Sequence, residues 1–122
     1  GYEAIPGKHV KGRLTLGENI GDLGGLTVAY DALQQALMDR PEANVEIDGM
    51  SQDQRLFANW TTVWRRNFTD GELRVRLETD PHAPANFRAN GTPSNMPAFA
   101  QAFDCKVGDR MVRDDADRIV IW

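Results

Sequence analysis

Leu16-Gly17-Glu18-Asn19-Ile20-Gly21-Asp22-Leu23-Gly24-Gly25 opens the longest periodic segment of the chain. From Leu16 to Asp39 the apolar residues Ile20, Leu23, Leu26, Tyr30, Leu33 and Leu37 recur at spacings of three and four, which predicts an amphipathic helix. Thr15 followed three residues later by Glu18 has the form of a capping box, and Glu18 and Asp22 suit the positive end of a helix dipole. Gly21, Gly24 and Gly25 sit inside this segment although each costs about 1 kcal/mol relative to alanine in a helix. Their spacing leaves one side of the helix nearly bare, so that another backbone or a metal site can come close. Glu18 and Asp22, four apart, share a face beside that surface. Two readings follow for them. Either both acids merely satisfy the helix start and dipole, or Glu18 binds a metal such as zinc through oxygen while Asp22 holds a neighbouring imidazole in place.

Outward from this helix, Arg40-Pro41 ends the period, because the residue before proline is pushed out of the helical region, and Glu42 to Gly49 reads as a polar connector. Ser51 with Gln54 is a second capping-box form, opening a helix whose Leu56, Phe57, Trp60, Val63 and Trp64 make an apolar stripe for the core. Asp70-Gly71 reads as punctuation. In Glu72 to Thr79 a helix and a strand compete, since Leu73, Val75 and Leu77 alternate; helix is the expectation. Asp80-Pro81-His82-Ala83-Pro84 must be irregular, Pro84 can open a short helix through Asn90-Gly91, and Asn95 to Phe103 fits another with Pro97 in its first turn. Gly1 to Gly12 is a loop or extended lead-in with Pro6-Gly7 as its turn, and the tail is loop-like from Asp104 until Ile119-Val120-Ile121-Trp122, an apolar run expected to be buried. The expected class is mainly α, with two longer helices plus short helices and loops.

Composition bounds the possibilities. The chain has 122 residues, 41% of them hydrophobic, which suffices for the core of one domain. Fourteen Lys and Arg against 18 Asp and Glu leave a formal charge of −4, which argues against nucleic acid or anionic lipid as a partner. The single cysteine, Cys105, excludes an internal disulfide and a Cys-based zinc cage within the chain. No apolar run approaches the roughly 20 residues of a membrane span, and the first residues lack the form of a signal peptide. The chain also starts without methionine, and an excised piece of a larger protein is the expectation.

A second constellation is Asp80-Pro81-His82, with Arg88 six residues on. An aspartate two residues from a histidine in a proline-restricted turn can bond one ring nitrogen and leave the other as donor to a developing oxyanion. Arg88 could hold a peptide carbonyl or carboxylate. The competing reading is a surface histidine and a helix arginine in an ordinary salt bridge. His9, in the polar lead-in, is expected to be solvent-exposed.

Taken together, Leu16 to Gly25, the aromatic helix Leu56-Phe57-Ala58-Asn59-Trp60-Thr61-Thr62-Val63-Trp64, the turn Asp80 to Arg88, and Asn95 through Cys105 with the terminal Trp122 resemble the C-terminal part of the neprilysin and endothelin-converting-enzyme family of zinc metallopeptidases. The resemblance runs in order across nearly the whole chain. It implies the helical C-terminal portion of a zincin-type catalytic domain, with residues 1–122 forming one partial domain. It implies Glu18 as third zinc ligand, Asp22 as the residue orienting a zinc-binding histidine, His82 as oxyanion stabiliser, Asp80 as its orienting partner and Arg88 as the residue that binds the substrate carbonyl. In the family's Glu-Asn-Ile-x-Asp motif, Gly21 stands where alanine is usual.

Two departures matter. No His-Glu-x-x-His occurs, so two zinc ligands and the general base are absent; the family carries them on an upstream helix, which the bare glycine face would receive. Arg65 and Ile119 stand where secreted animal members have cysteines, which points to a bacterial-type member, periplasmic or extracytoplasmic by resemblance. The resemblance thus implies a parent enzyme that hydrolyses peptide bonds in short peptides, with one zinc ion, a peptide substrate and the upstream part of the same polypeptide as partners. The 122 residues alone are expected to bind zinc weakly and to hydrolyse nothing. The alternatives are a non-catalytic helical interaction module and a pseudo-enzyme whose His-Glu-x-x-His has decayed.

Overall fold

A computed structural model describes residues 2–121. Its described residues are mainly helical, as the periodicity predicts: a two-stranded hairpin, β1 Glu3–Ile5 and β2 Lys8–His9, is followed by α1 Gly12–Asp39, α2 Gln52–Val63, α3 Asp70–Thr79, α4 Ala85–Gly91 and α5 Pro97–Ala102. The lead-in is therefore a hairpin, with Gly7 at φ +73° in the turn, a conformation glycine adopts without strain. His9 is exposed, as expected.

The long helix starts earlier than its apolar period suggests. Lys11 is the residue before the first turn and provides no side-chain cap. Thr15 lies inside the helix, 3% exposed, where its hydroxyl accepts from Asn19 Nδ2 at 3.2 Å. The Thr15–Glu18 capping box is consequently not formed: Lys11 O already accepts from Leu14 N and Thr15 N, so the helix is under way before Thr15. Ser51 and Gln54, by contrast, make both bonds of a capping box at the start of α2.

Leu73 and Leu77 decide α3, because at a spacing of four they share one face and Leu77 is only 5% exposed, while Val75 points away at 61%. Thr69 caps this helix by accepting from Glu72 N, so Asp70-Gly71 forms its first turn rather than a break. Pro84 stands just before α4, one position outside the helix it was expected to open. α5 has Pro97 in its first turn, as expected.

The core joins α1, α2 and α5 through Leu23, Leu26, Phe57 and Met96, flanked by Tyr30, Trp60 and Phe99. Phe57, 1% exposed, stacks on Tyr30 with centroids 6.1 Å apart and meets Phe99 edge-on at 5.4 Å. Several residues of the apolar patterns are not covered: Ile20 is 43% exposed, Val63 57%, and Leu16, Leu14 and Val28 also face outward. In the tail Ile121 packs on the core but Ile119 and Val120 are exposed, so the expected burial of the run holds only for its third residue; Trp122 lies outside the described residues. Lys8 and Lys11 both pair with Glu78, which holds the end of α3 against the start of α1.

Candidate active site

Three separate segments meet at one place. α1 contributes Glu18 and Asp22 from successive turns, the turn after α3 contributes Asp80 and His82, and α4 contributes Arg88. All five candidate site residues therefore belong to one cluster, although 66 positions separate Asp22 from Arg88.

The deepest pair is Asp22 with Arg88. Arg88 donates from Nε to Asp22 Oδ2 and from Nη2 to Oδ1, each at 2.6 Å, and both side chains are only 9% exposed. This fork-to-fork arrangement is one that arginine, and not lysine, can make. The Arg88 guanidinium also lies 3.9 Å from the ring centroid of Trp64, and Trp60 Nε1 donates to the Arg88 carbonyl at 3.2 Å. Both tryptophans of the α2 stripe thus serve Arg88 as well as the hydrophobic interior. The Trp64 Nε1 is buried without a hydrogen-bond acceptor among the described residues.

His82 sits between two carboxylates. Its Nδ1 lies 2.7 Å from Asp80 Oδ1, which also accepts the His82 backbone N–H at 2.9 Å. Its Nε2 lies 3.1 Å from Glu18 Oε2. Asp80 is the residue after the last turn of α3, and Arg76, one turn earlier, donates from Nη1 to Asp80 Oδ2 at 2.7 Å and from Nε to Glu72 at 2.8 Å. Bonds from the His82 backbone N–H, the His82 ring and Arg76, against the opposing effect of burial, hold the Asp80 carboxyl below its ordinary 3.8. A carboxylate held ionised at Nδ1 favours the tautomer with its proton there. Arg76 was missed by sequence reasoning, although its i,i+4 spacing to both Glu72 and Asp80 on a charged helix face was a usable signal.

Glu18 has more freedom than Asp22, Asp80 or Arg88. It is 43% exposed, faces His82 Nε2, and lies 3.8 Å from Arg88 Nη2. Asp22, with both oxygens already on Arg88, has less. No group of three or more His, Cys, Asp or Glu among the described residues is arranged to hold a metal. Zinc in proteins takes at least three protein ligands. The donor set therefore fits one ligand of such an ion, Glu18, and not a complete site.

The Gly17, Gly21 and Gly25 positions are open. A Cβ built on any of them would meet nothing within 4 Å, whereas Gly24 is buried, so the glycine face of α1 is covered only in part. Beside the cluster, on the side of α3, a cavity of about 520 Å³ is walled by Trp64, Phe68, Leu77, Ala83, His82 and Arg88.

The family model described as Peptidase family M13 matches residues 2–119. The chain is 39% identical over 124 residues to Neprilysin-3 of Drosophila melanogaster, covering 100% of this chain and 15% of that protein. It is 34% identical over 111 residues to the Neutral endopeptidase of Lactococcus lactis, covering 91% of this chain and 16% of the relative. It superposes on the crystal structure of Mycobacterium tuberculosis zinc metalloprotease Zmp1 in complex with an inhibitor with a TM-score of 0.90 and 44% identity, covering 98% of this chain and 18% of that one. The chain thus spans about a sixth of the length of the proteins that it matches. Matched over nearly all its residues by the family model, by relatives and by structure alike, the chain belongs to peptidase family M13.

Proposed function

We propose that this chain is the C-terminal part of a zinc-dependent metallopeptidase catalytic domain that hydrolyses peptide bonds in short peptides. The observation that carries this reading is the 3.1 Å approach of His82 Nε2 to Glu18 Oε2, which joins the candidate metal-ligating acid to the candidate oxyanion donor. Zinc, when bound, polarises a peptide carbonyl and lowers the pKa of a water molecule. Every other role falls to the residues of the chain and of the upstream segment.

Glu18 supplies one carboxylate ligand. With Glu18 given over to the metal, His82 Nε2 would face the oxygen that becomes negative as a peptide carbonyl is attacked, and it donates there in the ring form that carries protons on both nitrogens. Asp80 fixes the ring through its Nδ1 proton, and Arg76 keeps Asp80 in place. Asp22 holds Arg88 rigid, and its remaining lone pairs are available to a zinc-binding histidine from elsewhere in the polypeptide. Arg88, restrained by Asp22 and Trp64, is poised to hold a substrate carbonyl.

The outward-facing apolar residues Leu14, Leu16, Ile20 and Val28, and the open glycines of α1, support a partial domain whose remaining surface is covered by upstream chain carrying His-Glu-x-x-His. One test uses the complete product of the open reading frame. Glu18→Ala should lose both zinc and peptidase activity, whereas His82→Ala should lose roughly a hundredfold or more in kcat with zinc retained. Full zinc content in Glu18→Ala, or an unchanged kcat in His82→Ala, would refute the assigned roles. An open reading frame without His-Glu-x-x-His would favour the interaction module or the pseudo-enzyme.

A further inference from the structure

Phe68, Glu72, Arg76 and Asp80 follow one another at intervals of four, which sets them in one stripe along α3 and its two ends. The stripe is connected throughout. The Arg76 guanidinium lies 4.5 Å from the Phe68 ring centroid, and it donates from Nε to Glu72 Oε1 at 2.8 Å and from Nη1 to Asp80 Oδ2 at 2.7 Å. The other oxygen of Asp80 is turned to His82, where it accepts the backbone N–H at 2.9 Å and meets Nδ1 at 2.7 Å. An aspartate carboxyl turns broadly about its last bond, with roughly two settings, so one bonded oxygen does not fix its plane. Arg76 supplies the second anchor.

These bonds do not fasten α3 to the fold. Among the described residues the side chains of Glu72 and Arg76 bond only within the stripe, whereas α3 is held by buried Leu77 and by Glu78, which pairs with Lys8 and Lys11. Arg76 is 40% exposed and Glu72 51%, and ion pairs so exposed add little stability. Their effect is on direction. A guanidinium already set by an aromatic face and a second carboxylate loses less freedom when it bonds Asp80 than one on a free stem. From this contiguous stripe, ending on the ring of His82, we propose that Arg76 is a positioning residue that acts through Asp80 on His82, and that Glu72 and Phe68 preset its guanidinium for that task. As a statement about turnover the inference rests on the proposed function, because only there does the direction of His82 matter. As a statement about the ring it does not.

The experiment therefore reads the ring and the turnover separately, in the complete open-reading-frame product with isotope-labelled histidine. Arg76→Met keeps the length of the stem over Phe68 and removes the charge and its donors. The His82 Nδ1–H resonance, identified by its absence from His82→Ala, should shift or broaden in Arg76→Met. In peptide hydrolysis Arg76→Met should lower kcat about tenfold, within the hundredfold that a misplacement of about 1 Å can cost, with KM and zinc content unchanged. In the His82→Ala background the same substitution should change kcat no further. Glu72→Gln should lose about twofold, and nothing more once Arg76 is methionine. An unchanged His82 resonance in Arg76→Met, a loss confined to KM, or an equal tenfold loss in the His82→Ala background would overturn the proposal. Failure of the peptidase reading looks different: His82→Ala would then leave kcat unchanged while the His82 resonance still answered to Arg76→Met.

Discussion

Arg88 and Asp22 are joined by two parallel hydrogen bonds of 2.6 Å between helices that are remote in sequence, and each side chain is only 9% exposed. Removing one partner leaves the other charged, buried and unpaired, which costs about 3–5 kcal/mol, whereas removing both relieves much of that penalty. Arg88→Met and Asp22→Leu should each lower the free energy of unfolding by that order, and the double variant should lose much less than the sum. Urea denaturation of the four proteins in a double-mutant cycle measures the coupling; additive losses would show that the pair is not energetically linked.

Asp80 links stability to pH. Its folded carboxyl lies below the ordinary value of 3.8, first through the His82 backbone N–H. The depressed folded value means that its contribution is fully present above the unfolded value and is lost as pH falls through the folded one. Asp80→Asn should therefore be less stable than wild type from pH 5 to 7, with the gap closing below about pH 4. Thermal melts across that range check the sign, and a gap that widens on acidification would contradict it.

Phe57 tests the core. It is 1% exposed and touches aromatic rings from both α1 and α5, so its truncation opens a cavity that three helices cannot easily fill. Phe57→Ala should cost about 3–5 kcal/mol, and Phe57→Leu less than half of that. Denaturant titration of both variants gives the comparison; equal losses would mean that ring volume is not what the site requires.

Gly25 tests the proposed cover on α1. A Cβ there meets nothing among the described residues, so in an open helix Gly25→Ala should stabilise by up to about 1 kcal/mol. If an upstream helix packs on this face, Gly25→Leu in the complete protein should lower the melting temperature and the activity together. A raised melting temperature with Gly25→Leu would show that the face is solvent-exposed.

Much of this arrangement was legible residue by residue. Ser51 and Gln54 announced the start of α2 because a capping box is local, closed within four residues. The turn from Asp80 to Pro84 was legible because proline restricts its own neighbours. Thr15 and Glu18 match the same box yet do not form it, since Lys11 O already starts the helix and the hydroxyl is drawn inward to Asn19. Ile20 and Val63 fit apolar periods yet stay exposed, because a period marks a face without saying what covers it.

The candidate site divides along the same line. Glu18, Asp22, Asp80, His82 and Arg88 were identifiable from motif and spacing, and so was the Asp80–His82 contact, which spans only two residues. Sequence by itself determined the helices, their local caps and the types of residue available for chemistry, because these depend on neighbours within a few positions. Only the tertiary structure decided that Arg88 takes both oxygens of Asp22, that His82 faces Glu18, and that Trp64 stacks on Arg88. Those pairings arise where α1, α2, the turn after α3 and α4 pack against one another. The charges of Glu18 and His82, 64 positions apart, and of Asp22 and Arg88, 66 apart, find their partners there through the three-dimensional distances that packing sets.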